Sequence, residues 1–402
     1  MVTHKILKNQ LCVGCGLCSS VLGNNKCKIV LTENGFYQPQ IDTIIDDSVV
    51  KKICPGIRVH SDWHPDVWGQ VLEVCEAWSA ESDIRYKAAS GGVITSLAVY
   101  LLECRKVDAI LQVGVMDGSY IYNELKISRT KQDVIVCAQS RYAPAKTLDH
   151  IKQILDSTKD VFAFIGKPCD IAGVKNLIEL FPQYKERFLL FISIFCAGIP
   201  SFKATEKTWK LSGREDAPTS LIYRGDGWPG YFKATWEDGT EFKLSYNDSW
   251  GKILGRSLGL RCKICPDGIG LLADIAVGDS WNTQNGYPDF TEQDGRCFVL
   301  MRTQLGREIF EAAVKKEYIV KQQLDIKKIK EMQPYQYQRR KIIGWRLLPI
   351  QILTLCLLDF KGFGYVKQSL TSNYKEGISN MIGTALRMIK VICKKEKQSH
   401  CN

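Results

Sequence analysis

The chain has 402 residues, of which 45% are hydrophobic, and it carries 54 Lys and Arg against 43 Asp and Glu. This length predicts two to three domains, and the hydrophobic content is ordinary for a globular protein with a full core. The first ten residues lack the apolar stretch of a secretory signal, which argues against secretion. The 16 cysteines fall partly into C-x2-C units, which predicts metal sites in a reducing cytoplasm rather than disulfides.

The excess positive charge lies near the carboxyl end, because residues 315–402 hold 18 Lys and Arg against 6 Asp and Glu. The apolar run at 347–358 is interrupted and shorter than the roughly 20 residues of a membrane span. We expect a basic helical tail that binds peripherally at the inner face of the membrane, binds an acidic partner, or caps the body as a solvated helix. No aromatic and basic recognition motif accompanies the charge, so nucleic acid is not an expected partner.

The first motif is a run of three cysteines, each two residues from the next: Cys12, Cys15 and Cys18. It begins the bacterial ferredoxin motif C-x2-C-x2-C-x3-C-P, whose last cysteine serves a second cluster in two-cluster ferredoxins. Leu22 replaces that last cysteine, so the motif predicts one 4Fe–4S cluster with Cys54, of a later Cys-Pro pair, as its fourth ligand. Cys27 is the alternative fourth ligand, and a structural zinc site is the alternative kind of centre.

The hydrophobic pattern between residues 70 and 320 predicts a mixed α/β domain. Helical spacing covers residues 93–102, and Ser90 is the predicted N-cap of that helix. A second helix is predicted at 171–180, buried strands at 107–115, 161–165, 189–195, 274–278 and 298–302, and a hairpin of strands 231–236 and 241–245. The predicted fold class is therefore α/β (α+β), with a small ferredoxin-type cluster module, a mixed α/β domain and a helical basic tail.

A second set of cysteines lies in the α/β region, at the ends of predicted strands or in loops: Cys169, Cys196, Cys262 and Cys265. The last two have the C-x2-C spacing of a chelating pair. Four cysteines at such positions predict a second 4Fe–4S cluster. A zinc knuckle at the C-x2-C pair is one alternative, and buried thiols that pack as small hydrophobic groups are the alternative for Cys169 and Cys196.

Six short motifs, in order after the N-terminal cysteines, resemble the coenzyme F420 hydrogenase/dehydrogenase beta-subunit family over roughly residues 10–305. They are Ser90-Gly91-Gly92, Ser140-Arg141-Tyr142-Ala143-Pro144, Gly166-Lys167-Pro168-Cys169, Phe195-Cys196-Ala197-Gly198-Ile199-Pro200-Ser201, Cys262-Lys263-Ile264-Cys265 and Ala273-Asp274-Ile275-Ala276-Val277-Gly278-Asp279-Ser280-Trp281. The predicted regions are a ferredoxin-type module at 1–60, a family region with the flavin phosphate loop at 70–155, a family region with the second cluster and flavin at 156–320, and the basic helical tail at 321–402. The tail lies outside the resemblance.

Members of this family are iron–sulfur flavoproteins, so the resemblance also implies FAD. The turn Ser90-Gly91-Gly92 would present backbone N–H groups to the FAD pyrophosphate. Arg141 would neutralise a phosphate or the reduced flavin, and Lys167 would place a cation near the ring. Asp279 would orient ring or ribose groups. The alternatives are a plain helix cap at Ser90, a surface salt bridge at Arg141, a solvated Lys167 and an Asx cap at Asp279. The five histidines form no cluster, and no catalytic residue is assigned.

The function implied is that of an oxidoreductase that passes electrons between 4Fe–4S clusters and FAD. It would reduce or oxidise a two-electron acceptor, such as a deazaflavin or a small-molecule pathway substrate. The expected partners are ferredoxin, or another electron-transfer protein, and that acceptor. The alternative is a non-enzymatic electron-transfer subunit that serves a partner enzyme, for example in polysaccharide biosynthesis.

Overall fold

The computed structural model describes residues 2–41, 44–62, 64, 66–355 and 357–399, the last eight as backbone only. Within these residues, eight strands form one large mixed sheet. In spatial order they are β16 (Ile319–Gln323), β4 (Glu73–Ser79), β15 (Cys297–Met301), β12 (Ile275–Asp279), β8 (Phe188–Ile194), β7 (Phe162–Gly166), β5 (Ala109–Val115) and β6 (Asn123–Ser128). The four neighbours β12, β8, β7 and β5 are parallel, and the flanking strands are antiparallel.

Helices cover both faces of the parallel strands, which explains why these strands read as nearly continuous apolar runs. On one face, α5 (Val93–Glu103) and α11 (Gln304–Lys315) pack on side chains such as Ile165, Ile192 and Val277. On the other face, α7 (Ile151–Ser157) and α8 (Pro168–Leu180) pack on Phe162, Phe164 and Phe191. Because the four strands are parallel, their carboxyl ends meet at one edge of the sheet, where α/β proteins bind ligands.

Smaller elements surround this edge. A three-stranded antiparallel sheet, in the order β11 (Glu241–Leu244), β10 (Phe232–Thr235) and β9 (Ser220–Ile222), contributes aromatic residues to a separate core. The elements of this region are α4 (Ser82–Lys87), α6 (Lys131–Val136), α9 (Phe202–Trp209), β9 (Ser220–Ile222), β10 (Phe232–Thr235), β11 (Glu241–Leu244), α10 (Leu260–Lys263), β13 (Thr283–Gln284) and β14 (Tyr287–Pro288). Short 3-10 turns and one π-helical turn at 247–251 connect them.

The N-terminal module is small and loop-rich. Its elements are α1 (Val2–Lys8), α2 (Leu17–Leu22), β1 (Lys28–Leu31), β2 (Tyr37–Gln40), α3 (Asp47–Ile53) and β3 (Arg58–His60). The module packs on the body through Leu17 and Ile53, which belong to the core around α7 and α8. This packing places the N-terminal cysteines beside the large sheet.

The C-terminal segment, residues 321–402, joins the fold rather than extending from it. Its elements after β16 are α12 (Ile329–Met332), α13 (Pro334–Leu353), β17 (Asp359–Lys361), α14 (Tyr365–Leu370) and α15 (Tyr374–Ser399). Strand β17 pairs in parallel with β3 of the N-terminal module. Ile343, Leu347 and Phe360 share one buried core with Leu11 and Val59. None of the described helices is long and apolar enough to cross a membrane.

The predicted fold class is confirmed, and most predicted elements lie within a few residues of the observed ones. The prediction that Ser90 caps the helix at 93–102 is wrong. Helix α5 begins after Gly92, which has a left-handed backbone (φ +76°) and caps the helix without a side-chain hydrogen bond. Strands β4, β6 and β16 were not predicted from the sequence.

Candidate functional site

A cavity of about 300 Å³ opens at the carboxyl ends of the four parallel strands. Its walls include the ends of β5, β7, β8 and β12, the loop at 137–143 and the first turn of α5. Five of the six predicted flavin contacts line it: Ser90, Gly92, Arg141, Lys167 and Asp279. The structure therefore brings together residues that lie almost 190 positions apart in the sequence.

The first turn of α5 faces the cavity with Gly92, Ile94 and Thr95. The first N–H groups of a helix have no carbonyl partner within the helix and carry partial positive charge, so this turn suits an anion such as a phosphate. A Cβ on Gly92 would lie 3.1 Å from both the Ile84 carbonyl oxygen and Ser79 Cβ. Gly92 is therefore needed by the fold itself, whatever the cavity binds.

Ser90 and Gly91 have contacts with strand β15 rather than with α5. The Ser90 hydroxyl donates to the Arg296 carbonyl at 3.2 Å and lies 3.2 Å from Cys297 Sγ. A Cβ on Gly91 would lie 2.9 Å from Arg296 Cα and 3.0 Å from the Ala77 carbonyl oxygen. Gly91 thus permits close packing of the turn on the sheet, and it is the one predicted flavin contact that does not line the cavity.

Arg141 lines the cavity, but its donors are used by the protein. Its Nε donates to Asn123 Oδ1 at 2.7 Å, its Nη1 donates to the Leu221 carbonyl at 2.9 Å, and its Nη2 donates to the Tyr120 carbonyl at 3.3 Å. The guanidinium also lies over the ring of Tyr223. These contacts favour a structural role, in which Arg141 fixes the cavity wall, over a phosphate contact.

Asp279 holds a cation that sequence reasoning missed. Its carboxylate accepts two hydrogen bonds from Arg224, at 2.7 and 2.8 Å, and one from Trp228 Nε1 at 3.1 Å. The Arg224 guanidinium is almost fully buried, lines the cavity and lies over the rings of Tyr246 and Trp281. Burial lowers the pKa of Arg224, but Asp279 outweighs it, so the net pKa is raised and the charge is fixed.

Lys167 stands between the cavity and the second set of cysteines. Its ammonium pairs with the buried Asp170 carboxylate at 2.5 Å and lies near Cys169 and Cys196. Burial lowers the pKa of Lys167, but Asp170 and the two thiols outweigh burial. The net pKa is therefore raised, and the lysine stays charged. The solvated lysine considered from the sequence is therefore excluded, since the side chain is 12% exposed.

The C-terminal segment closes the remaining side of the cavity. Gln333 and Gln336 line it, and Gln333 Nε2 donates to the Asp279 carbonyl at 2.9 Å. The Gln336 side-chain oxygen is buried and has no hydrogen-bond partner among the described residues. A buried acceptor without a partner is costly, so this oxygen suits a ligand that offers an N–H or O–H group. No sequence motif indicated these two residues.

The N-terminal cysteines Cys12, Cys15, Cys18 and Cys54 lie near one another, and Cys27 lies beside them. Burial and the neighbouring Cys54 raise the pKa of Cys12 to about 12, and burial and Cys54 also raise the pKa of Cys15. The neighbouring Cys27, together with burial, raises the pKa of Cys18. Cys54 is a neighbour of Cys12 and Cys15, and Cys27 is a neighbour of Cys12 and Cys18. Both Cys54 and Cys27 remain within reach as the fourth ligand.

The second set of cysteines also converges. Cys169 is close to Cys196 and Cys265, and Cys196 is close to Cys262 and Cys265. Burial and the neighbouring Cys262 raise the pKa of Cys196 to about 12. The four cysteines of this set come from the first turn of α8, the end of β8 and the α10 region. Cys196 also lines the cavity, so this set and the cavity share a wall.

Two arginines hold loops that carry cysteines, one in each set. Arg261 donates to the carbonyls of Pro55 and Gly56, at 2.8 and 2.6 Å, beside Cys54. Arg339 of α13 donates to the carbonyls of Cys196 and Cys262, at 3.0 and 3.2 Å. The Nε of Arg339 is buried and unpartnered within the described part of the chain.

The spread of the thiols bears on the kind of centre they could hold. Among the described residues, no group of three or more His, Cys, Asp or Glu side chains is arranged for a single metal ion. A cubane cluster is held by four thiolates, each at a separate corner, so it tolerates a wider spacing than one zinc ion does. The donor sets, made only of cysteine sulfur, suit iron–sulfur clusters.

The fold and the thiol-lined cavity define an α/β protein with the features of an electron-transfer oxidoreductase. Residues 74–152 match the family model described as "Coenzyme F420 hydrogenase/dehydrogenase, beta subunit N-term", and residues 160–327 match the companion model for the carboxyl-terminal part of the same subunit. The chain belongs to this family, as its motifs predicted. The match ends before α13, so Gln333, Gln336 and Arg339 lie outside the family region.

Three similar proteins extend this finding. An uncharacterised protein of Methanocaldococcus jannaschii is 24% identical over 356 residues, which cover 79% of this chain and 92% of that protein. The coenzyme F420-dependent sulfite reductase of the same organism is 24% identical over 343 residues, covering 78% of this chain but 48% of the reductase. A chain of the F420-reducing NiFe hydrogenase complex from Methanosarcina barkeri has the same fold, with a TM-score of 0.54, 20% identity, and coverage of 71% of this chain and 96% of that chain.

Proposed function

We propose that this protein is an iron–sulfur flavoprotein that passes electrons between two 4Fe–4S clusters and FAD. Cys12, Cys15, Cys18 and Cys54 would hold one cluster, and the second set would hold the other: Cys169, Cys196, Cys262 and Cys265. The acceptor is a two-electron compound, such as a deazaflavin or a small-molecule substrate of its pathway. FAD, when bound, supplies the exchange between one-electron and two-electron chemistry.

One observation carries this proposal: Cys196 belongs both to the cavity wall and to the second set of cysteines, and Lys167, also in the wall, lies beside Cys169 and Cys196. A ring in the cavity would therefore lie next to a cluster on that set, without a gap for electron transfer to cross. Asp170 is a charged neighbour of both Cys15 and Cys169, so the two thiol sets are themselves near each other. The arrangement supports a path from the N-terminal module through the second set to the cavity.

The residues of the cavity fit FAD. The first turn of α5 suits the pyrophosphate, and the partnerless Gln336 oxygen suits a ring N–H group. Arg224 and Lys167 place two fixed cations in the cavity wall, where they would favour a ring that gains negative charge on reduction.

The composition of the purified protein tests the proposal. After anaerobic purification we expect about eight iron atoms, with matching acid-labile sulfide, because each cubane holds four irons, and we expect one FAD per chain. Cys15→Ser and Cys169→Ser should each remove about half of the iron. Cys104→Ser is the matched control, because Cys104 is a partly exposed thiol at the end of α5 in neither set. One zinc per chain without labile sulfide would refute both cluster assignments.

A measurement of turnover by the purified chain separates two hypotheses: an enzyme with its own acceptor, and a non-enzymatic electron-transfer subunit that serves a partner enzyme. The purified chain should reduce a deazaflavin when it receives electrons from reduced ferredoxin alone. If its clusters and flavin are reduced but no acceptor turns over until a second protein is added, the alternative is correct. The relative found in a hydrogenase complex makes this alternative worth the measurement.

A further inference from the structure

The positive charge of the C-terminal segment is partly gathered over the second set of cysteines. Arg346 of α13 donates from Nη1 to the Lys263 carbonyl at 3.1 Å and from Nη2 to Asn380 Oδ1 of α15 at 2.8 Å. Arg387 of α15 is the strongest charged neighbour of Lys263, and Arg346 is the next. Lys263 lies between Cys262 and Cys265 in the sequence. Three cations therefore stand beside the C-x2-C pair.

These cations are not neutralised by the protein. Within the described residues, Arg346 donates to a backbone carbonyl and to the Asn380 amide oxygen, and no carboxylate forms an ion pair with Lys263, Arg346 or Arg387. Like charges held close together repel one another, which costs free energy unless an anion is bound. Arg387 is exposed, and so is Lys390, which lies about one turn after Arg387 on α15. We call Lys263, Arg346, Arg387 and Lys390 the basic patch.

An exposed apolar stripe runs along α15 next to the basic patch. It consists of Ile378, Ile382, Leu386 and Ile389, which are 44–55% exposed. Their spacing of four, four and three residues places them on one face of the helix. Met388 and Thr384, on another face, are buried, and Met388 belongs to the core that includes Ile350 of α13. The described part of the chain thus leaves this stripe uncovered.

We propose that the basic patch and the apolar stripe of α15 form the docking surface for a small acidic electron-transfer protein. An apolar centre with a charged rim is the usual composition of a protein interface. The cations converge on the C-x2-C pair, and Cys262 and Cys265 are partly exposed. These two facts favour a redox partner over a lipid surface, because a partner bound here would lie against the proposed second cluster.

The inference rests on the proposed function, since it requires a cluster on the second set of cysteines. In each encounter one electron leaves the reduced centre of the acidic carrier, which is oxidised, and enters that cluster, which is reduced. Two encounters supply the pair of electrons that the two-electron acceptor takes up. Electrostatic attraction between the carrier and the basic patch would raise the rate of encounter, and added salt would lower it.

The experiment measures electron entry into the full-length holoprotein from a reduced plant-type ferredoxin, used as an acidic probe. The test variant is Arg387→Glu combined with Lys390→Glu. The control is Lys315→Glu combined with Lys316→Glu, which makes the same change of charge at two exposed positions at the end of α11. At low salt, we expect the second-order rate to fall by about tenfold or more for the test variant, with a weaker salt dependence, and to stay unchanged for the control.

Three further measurements decide between the outcomes: the cofactor content, the ferredoxin rates of the variants, and binding to lipid vesicles. Iron content and the total electrons accepted from dithionite should be equal in all proteins, and a wild type with only half the expected iron would refute the proposed function rather than the docking surface. Equal ferredoxin rates in both variants and the wild type would overturn the docking surface. A second result would also overturn the docking surface: the wild type binds phosphatidylglycerol vesicles through Arg387 and Lys390, whereas the ferredoxin rate does not depend on these residues. The surface would then be a lipid contact.

Discussion

The two sets of cysteines reach the same kind of arrangement by opposite routes. Three thiols of the N-terminal set lie within seven residues of one another, so a single loop brings them together. The second set is collected from the start of α8, the end of β8 and the α10 region, almost 100 residues apart. The first set is therefore a local motif, whereas the second exists only if the parallel sheet is assembled.

Local spacing nevertheless does not make a centre independent of the rest of the fold. The loop of Cys54 is held by Arg261, which belongs to the helix that carries Cys262. The loops of Cys196 and Cys262 are held by Arg339 of the C-terminal segment. Each set thus depends on an arginine that comes from a later part of the chain.

The largest effect should come from removing the end of the C-terminal segment. The cofactor motifs of the sequence end by Trp281, so from the sequence alone one would expect truncation near residue 342 to leave both clusters and FAD in place. The structure argues against this, because Leu347, Phe360 and Met388 share a core with the N-terminal module and β17 pairs with β3.

We therefore expect the chain truncated after residue 342 to lose the N-terminal cluster. Each large apolar side chain buried on folding contributes about 1.5–3 kcal/mol, and a domain has a total stability of only about 5–15 kcal/mol. Iron analysis and thermal unfolding of the truncated and complete chains would measure the loss. If the truncated chain keeps its full iron and its unfolding temperature, the segment is a dispensable cap and the N-terminal set does not depend on it.

A smaller pair of effects should separate the two sets. Arg261→Gln should weaken the N-terminal set, and Arg339→Gln the second set, because each leaves two backbone carbonyls without their donor. A buried acceptor left unpaired costs about 1–3 kcal/mol. Denaturant titration would give the loss of stability, and electron paramagnetic resonance would assign the perturbed cluster.

Each arginine variant serves as the control for the other. We expect the midpoint potential of only one cluster to change in each variant, and Arg339→Gln should make the second cluster harder to reduce, because a buried cation beside it is lost. If both variants perturb the same cluster, the two sets are not supported separately, and their proximity through Asp170 dominates instead.

The sequence predicted the centre of the sheet well and its edges poorly, for a physical reason. Strands β7, β8 and β12 are buried on both faces, so they are continuous apolar runs that the pattern identifies. Strand β16, at one edge, is Ile-Val-Lys-Gln-Gln, and β6, at the other edge, is Asn-Glu-Leu-Lys-Ile-Ser. Edge strands expose polar side chains, and without strict alternation the sequence does not distinguish them from loops.

The candidate site was predictable only where its residues carry a spacing or a motif. The cysteines were found because thiols at short intervals are typical of metal ligands. Arg224, Gln336 and Arg339 have no such pattern, and the tertiary fold alone brings them to the cavity and the second set. Arg141 and Asp279 were correctly placed at the cavity wall, but their side chains bind other protein groups, which a sequence does not reveal.

The smallest expected effect concerns Gly92, where the fold and the cavity make separate demands. The glycine has φ +76°, and an added Cβ would press on Ile84 and Ser79. Gly118 is the matched control, because it has φ +73° and nothing within 4 Å of an added Cβ. Both Gly→Ala changes incur the strain of a left-handed residue, about 1–2 kcal/mol, and Gly92→Ala adds an overpacking cost of about 1 kcal/mol or more.

Denaturant unfolding should show that difference in stability. FAD titration should show weaker binding for Gly92→Ala alone, because the first turn of α5 shifts, and the iron content of both variants should not change. Equal stability losses in the two variants, with FAD affinity unaltered, would mean that neither the packing nor the phosphate role of this turn is correct.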